Sequence, residues 1–521
     1  MHTDPGRIDM LIHRSPERTC PIRRNGLRHV RTDHNGAGHY RLVELPAALQ
    51  RIRAGAVMLV MAAAALGGCV LVPPGTAEEQ TKLKLASASF EQPIAARELP
   101  ALPSPANWQD VLHRAFLANG NLESAYFNWK AALADVNVVA TWPNSNATVS
   151  FGYLFSSGNM KSWDRTSLGA GFDPSVPLRL PVKVQVAGKG ALEAAREAGD
   201  KFRAAKFDLQ RQVLLAYLDL ALTEERIRIE KDNLTVLKLL ADSAAYRSQT
   251  GGPLQDLLKA QVEERLAQNE LSNLDASAAS QRGNLNGLMA RDGNAPLELP
   301  PNLPSPRVVA ADDARLLAVA VDQNPELAGL ARQVAGRQDA LELARLAYLP
   351  DIIPSASFTG SISQAIGAMV MLPTTLPAIR AAIDEAAAAQ RAAEAIERQT
   401  RQDRAANFVA NLYLMRNAER QTQFYQQSVV PAARQLLTTS RQEYGAGAVG
   451  FADLIDSERT YISVRFMVAE SRIDREKRLA DLEALAGADI ETLGRPAQSE
   501  ISRPIAFPSV APSPQHAQST Q

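Results

Sequence analysis

Four short stretches of this chain alternate between side chains that water-soluble strands seldom combine. In the first, Ala147, Val149, Phe151, Tyr153 and Phe155 share one face, and Thr148, Ser150 and Gly152 the other; Leu154 is the exception. A second sets Leu168, Ala170, Phe172, Val176, Leu178 and Leu180 against Ser167, Gly169, Gly171, Asp173, Ser175 and Arg179. Later, Ile352, Ala356, Phe358 and Ile362 alternate with Ser355, Ser357, Thr359, Ser361 and Ser363, and Ile366, Ala368, Val370 and Leu372 follow. A period of two puts successive side chains on opposite faces of a strand. A half-buried soluble strand usually carries Lys, Glu or Arg on its wet face, whereas this one is nearly all Ser, Thr and Gly. Apolar residues on one side and small polar ones on the other suit a strand with lipid outside and water within. A soluble hairpin packed on helices is the rival reading.

The rest of the folded chain reads as helix. From Ala191 to Thr250 there is no proline, and from Ala378 to Tyr444 only Pro431. Leu209, Val213, Ala216, Leu220 and Ile227 mark one seam, flanked by Arg211, Asp219, Glu225 and Arg228. Narrow seams of this kind serve coiled-coil packing but cannot build a thick globular core. One copy therefore leaves surface uncovered, and the pattern predicts an oligomer.

The body is also written twice. Ala115, Asn119 and Leu122 recur as Ala320, Asn324 and Leu327, all at an offset of 205. Tyr246…Gly251…Asp256-Leu257-Leu258 is answered by Tyr444…Gly447…Asp453-Leu454-Ile455. Each half reads helix, strand, strand, long helix, helix, and a Pro-rich stretch at 295–309 divides them. The predicted segments are a first repeat at 107–294, with strands near 146–156 and 166–181, and a second at 310–494, with strands near 351–360 and 364–373. Only 22 residues separate Pro350 from Pro373, so the second hairpin must turn almost at once.

Ahead of the body, Arg51 and Arg53 precede thirteen apolar residues, Ala54 to Leu66, and then Gly67-Gly68-Cys69. That run is shorter than the roughly 20 residues of a spanning helix and suits a signal peptide over 51–68. Leu66-Gly67-Gly68-Cys69 resembles a bacterial lipobox, which implies cleavage before Cys69 and a covalent lipid on its thiol and freed amine. Residues 1–50 hold five of the seven His without periodicity. They read as an extension outside the folded protein, a His-rich metal tract being the other reading. The prolines at 73, 74, 93, 100, 103 and 105 make 69–106 an extended, lipidated tether, and 495–521 a disordered tail.

Composition closes off several functions. Lys+Arg and Asp+Glu balance at 56 each, which gives no excess for nucleic acid. Beyond the leader only Cys69, His113 and His516 remain of the Cys and His, too little for a soft-metal centre or a Cys/His catalytic pair. No HExxH, GxGxxG after a strand or Walker-type loop is present, so no enzyme is expected. Met369 and Met371 suggest thioether binding of Cu(I), against the plainer reading that they fill a strand face.

Taken together, the lipobox, the Pro-rich segment, Ala-x-x-x-Asn-Pro-Glu-Leu, the hairpin ending at Leu180-Pro181 and Gly447…Asp453-Leu454-Ile455-Asp456 resemble the TolC family of outer membrane efflux proteins. The resemblance covers 107–490 and implies a mainly α protein with a transmembrane β-barrel. Three protomers would each give four strands to one twelve-stranded barrel above a long α-helical coiled-coil barrel. It implies a homotrimeric, lipid-anchored outer-membrane conduit, partnered by a periplasmic adaptor and an inner-membrane RND-type transporter, for drugs or metals. It further places Asp453, Asp456 and Arg459 at a periplasmic gate, and adaptor contacts at the turns holding Gly251, Gly252, Pro253, Gly445, Gly447 and Gly450. No cofactor beyond the lipid on Cys69 is implied. From the residues alone, Asp453 caps a helix and Asp456 pairs with Arg459. A lipoprotein coiled-coil scaffold that does not span the membrane is the alternative function.

Overall fold

The computed structural model describes residues 69–492, apart from 87, 156–157, 174 and 310. The predicted extension, signal peptide and tail lie outside the described residues.

The first half opens with α2 (Trp108–Ala118) and α3 (Gly120–Val139), after β1 (Cys69–Val70) and α1 (Thr76–Ala86). Then come β2 (Thr141–Trp142), β3 (Ala147–Tyr153), β4 (Thr166–Phe172), α4 (Pro181–Gln249) and α5 (Leu254–Leu288). The second half repeats that order in α6 (Asp313–Asp322), α7 (Pro325–Arg345), β5 (Asp351–Thr359) and β6 (Ser363–Met371). It ends with α8 (Leu376–Phe424), a π-helical turn at Tyr425–Val429, α9 (Val430–Ala446) and α10 (Phe451–Ala486).

The strand that the sequence carries to residue 181 stops at Phe172. Asp173 starts a turn in which its carboxylate accepts from the Ser175 amide at 2.9 Å. Beyond it only Leu178 rejoins, in a lone bridge to Ile352. The second hairpin forms two nine-residue strands, with Gly360 at φ +48° turning between them.

The recurring asparagines explain how each half closes. The Asn119 side chain accepts from the amides of Asn121 and Leu122, capping α3, and donates to the Leu288 carbonyl at 3.1 Å. Asn324 caps α7 through the Leu327 amide and donates to the Leu485 carbonyl at 2.6 Å. Each buried Asn thus ties a helix start to the end of the returning helix.

The α4 helix spans 69 residues, which at ~1.5 Å per residue is about 100 Å. Pro181 sits at its first position, where the missing N–H costs nothing. Its counterpart is interrupted. Pro431 has no N–H to donate, and its ring collides with the carbonyl four residues earlier. The π-turn just before it moves that carbonyl aside.

Packing follows the narrow seams. One apolar cluster joins α2, α3, α4 and α5 around Tyr126, Trp129, Phe202, Val213 and Leu285. A second joins α6, α8 and α10 around Leu316, Phe408, Met415 and Leu479. Where the halves meet, α4 and α10 are laced antiparallel by Arg211–Asp481, Asp219–Lys477, Arg226–Glu470 and Asp232–Arg465.

The segment after Cys69 is not an extended tether. The proline-free stretch 75–92 leaves room for α1, and Phe90 is buried against Tyr126, ring centres 5.5 Å apart. Buried Arg97 donates to the carbonyls of Gln92 and Leu117 and pairs with Glu123 at 2.6 Å. This strap begins in a separate two-stranded sheet, where Cys69 and Val70 pair with Trp142 and Thr141.

The inter-half linker is clasped by one arginine. Arg307 pairs with Glu483 at 2.9 Å and Glu476 at 3.0 Å, with its guanidinium 5.6 Å from the Trp108 ring centre. Glu483 is only 1% exposed, and burial outweighs the pull of Arg307, pushing its carboxyl up to about 7. Folded chain then holds a proton that unfolded chain has already released above its ordinary range. This group's contribution to stability is therefore present at acid pH and lost as pH rises from about 4.5 to about 7. Glu483→Gln is expected to flatten that fall, by up to about 3 kcal/mol. Guanidinium unfolding of both proteins at pH 5 and pH 8 checks it; equal slopes would mean that Glu483 stays ionised throughout.

Candidate functional site

The four main strands form one antiparallel sheet, ordered β3-β4-β5-β6. Its register sorts side chains into rows. Val149, Ala170, Ala356 and Ile366 lie side by side, as do Phe151, Leu168, Phe358 and Gln364. On the opposite face run Thr148–Gly171–Ser355–Gly367, Ser150–Gly169–Ser357–Ala365 and Gly152–Ser167–Thr359–Ser363. The alternation read in the sequence is therefore kept across the four strands, with Thr166 and Gln364 the polar residues on the apolar side. Ser361 and Ile362 fall in the turn instead.

The apolar face is uncovered. Val149 is 79% exposed, Phe151 70% and Ile366 79%. Leaving so many large side chains in water forgoes about 1.5–3 kcal/mol each. The small face is crowded: a Cβ on Gly152 would come within 2.6 Å of the Ser167 hydroxyl. Glycine opposite serine lets the sheet bend toward this face, the usual way strands are made to curl. The strands carry one charge, Asp351 at the base, and Lys183 of α4 neutralises it at 2.8 Å. At the far end Asp164 accepts from the Ser361 amide at 2.8 Å and fastens one hairpin turn to the other. Among the described residues, no helix is long and apolar enough to cross a membrane.

The other end of the helices is built from two turns. Thr250-Gly251-Gly252-Pro253 joins α4 to α5, with Gly251 at φ +94° and the Gly252 amide on the Arg247 carbonyl at 2.8 Å. Gly447, at φ +76°, ends α9 before α10 begins after Gly450. Left-handed backbone at both positions is what calls for glycine. Gly445 belongs to the last turn of α9 rather than to the loop. Behind the turns, Leu237, Ala241, Ala260, Leu437, Phe451 and Leu454 form a third apolar cluster.

Asp453 is exposed and accepts from the Gly450 amide at 3.1 Å, so it caps α10. Asp456 is exposed one turn further on. Arg459 does not pair with it. Its guanidinium reaches across to Glu263 of α5, which borders the same groove as α10 and α4 here. The two acidic residues share a helix end, whereas Arg459 belongs to the seam between hairpins.

The sequence reading missed Arg247. Its guanidinium sits 4.3 Å from the Tyr444 ring centre and donates to the carbonyls of Tyr444 and Gly445. It thereby staples one turn to the other. Tyr246, the repeat partner of Tyr444, is 71% exposed, whereas Tyr444 is buried under the arginine. The available signal was the asymmetry itself, Arg following Tyr246 where Gly follows Tyr444.

Solved structures with this architecture are known. The Neisseria gonorrhoeae MtrE outer membrane channel in its open state is 20% identical, with a TM-score of 0.61 over 74% of this chain and 89% of its own. The Campylobacter jejuni CmeC outer membrane channel is 14% identical, also at 0.61, over 78% and 91%. The Vibrio cholerae outer membrane protein VceC is 17% identical, at 0.60, over 73% and 96%. No family model matches the sequence, and no curated protein does. At these identities the likeness establishes the fold alone, which is that of the TolC-like outer-membrane channels.

Arg247→Ala removes two hydrogen bonds and a ring contact, worth roughly 1–2 kcal/mol together. Limited proteolysis at 244–256 and 440–452 is expected to speed up about tenfold, with far-UV circular dichroism unchanged. Unaltered cleavage would show that the apolar cluster alone holds the turns.

Proposed function

We propose that this protein is the outer-membrane channel of a tripartite efflux pump, a passive conduit for small molecules. The observation that carries the reading is the sheet. Its large apolar face is exposed, its other face is small and polar, and β3 and β6 each leave an unpaired edge. Within a bilayer no water satisfies those edges, so the sheet must close with others like it. Three copies make a twelve-stranded cylinder with lipid outside and water inside. The solved outer membrane channels of the same fold support the same conclusion. A scaffold remaining in water would leave that apolar face without a partner.

In this reading Cys69 carries the lipid, and its pairing with Trp142 sets the anchor beside β2, just ahead of β3 in the chain. An inner-membrane transporter of RND type drives substrate in through an adaptor seated on the turns around Gly251 and Gly447. Asp453 and Asp456 form the periplasmic constriction. Six carboxylates from three copies favour cations there and repel one another, which eases opening.

Planar-bilayer recording on the purified, lipidated protein tests the reading together with heat-modifiable gel migration. Discrete conductance steps and a heat-sensitive band are expected. Carbonate extraction from the outer membrane without detergent would overturn it. The double variant Asp453→Ala/Asp456→Ala is expected to lose cation selectivity severalfold; unchanged currents would leave both as helix-start residues only.

A further inference from the structure

Met369 and Met371 lie two residues apart on β6, on one face of the strand. The register says which face. Met369 stands opposite Ile353 and Met371 opposite Asp351, continuing the side that carries Ser355–Gly367 and Ser357–Ala365. Val370, between them, belongs with Ile366 on the apolar side. The thioethers therefore do not fill the greasy face. They are 59% and 44% exposed on the face that the proposed channel turns to water.

Apart from Ile353 and Asp351, the other strand residues on that side are Ser, Thr, Gly and Ala. Ile353 is buried there, but the two methionines stay about half exposed, so burial does not account for them and their chemistry is the better account. A thioether is a poor hydrogen-bond acceptor and a good ligand for soft metal ions. Same-face neighbours on a strand are about 7 Å apart at Cα, within reach of one ion for two flexible three-torsion side chains. The nearby carboxylate of Asp351 is held by Lys183 at 2.8 Å, which makes the spot poor for a hard cation. Among the described residues no three His, Cys, Asp or Glu gather as a metal site.

We propose that Met369 and Met371 form a two-thioether site for a soft monovalent cation, Cu(I) or Ag(I), at the base of the sheet's small-residue face. The site rests on the reading that this face lines a conduit. Two neutral ligands bind loosely, so an ion held there leaves again, as passage requires.

Silver nitrate in chloride-free buffer is the probe, with the full chain in detergent and methionine oxidation by peroxide followed by mass spectrometry. Met160 and Met467 are exposed and serve as internal controls. Silver is expected to slow oxidation of Met369 and Met371 about fivefold relative to those two. Met371→Leu is expected to return Met369 to the control rate. Equal protection at all four, or protection of Met369 that survives Met371→Leu, overturns the site. In liposomes without silver, peroxide is expected to reach both residues; failure to do so overturns their water-facing placement. Protection in detergent from a protein that never conducts supports the ion site and overturns the conduit.

Discussion

A wall built from helices in pairs has almost no interior, and the rest of this structure follows from that constraint. The α4 helix shows apolar residues to its neighbours along a narrow stripe and leaves charged ones beside it. Its contact with α10 is consequently laced by a ladder of ion pairs, Arg211–Asp481 to Asp232–Arg465, and becomes a packed apolar cluster only near the turns, around Leu237 and Leu454. Half-exposed pairs of this sort contribute little each and weaken with salt. Firm attachment falls instead to a few buried polar points: Asn119 and Asn324 at the helix starts, and Arg307 on the linker. Asn119 and Asn324 are buried and each holds a carbonyl of the returning helix, while half-buried Arg307 holds the buried carboxylates of Glu476 and Glu483.

The sheet is arranged differently. Large exposed apolar side chains occur on the helices as well, among them Val138, Leu239 and Tyr413, but on the sheet they share one face. Val149, Phe151 and Ile366 are placed by the register on one continuous surface, not scattered. Crowding between Gly152 and Ser167 keeps the opposite surface small. Composition and curvature thus work in one direction.

Local patterns in the sequence were readable where the physics is local. A period of two located the four strands, though it carried the second past Phe172, and the internal repeat picked out Asn119 and Asn324 as corresponding points of the two halves. Long-range partners were not readable. The strap after Cys69 carries enough prolines to look extended, yet Phe90 joins the apolar cluster of Tyr126 and Phe202, and Arg97 pairs with Glu123 of α3. Arg459 has Asp456 within one turn of helix but turns to Glu263, nearly two hundred residues away in sequence. Arg247 meets Tyr444 only because both hairpins end at one level. Pairing at i and i+3 is a prior that tertiary neighbours override.

The π-turn before Pro431 makes the two long hairpins mechanically unequal. One rod runs unbroken through α4; the other has a joint between α8 and α9, where the backbone ladder is out of step. Beside that joint lies a cavity of about 320 Å³ bordered by Gln426, Val430 and Arg465. Any flexing of the wall therefore concentrates in the second hairpin, and the first serves as the strut against which it bends.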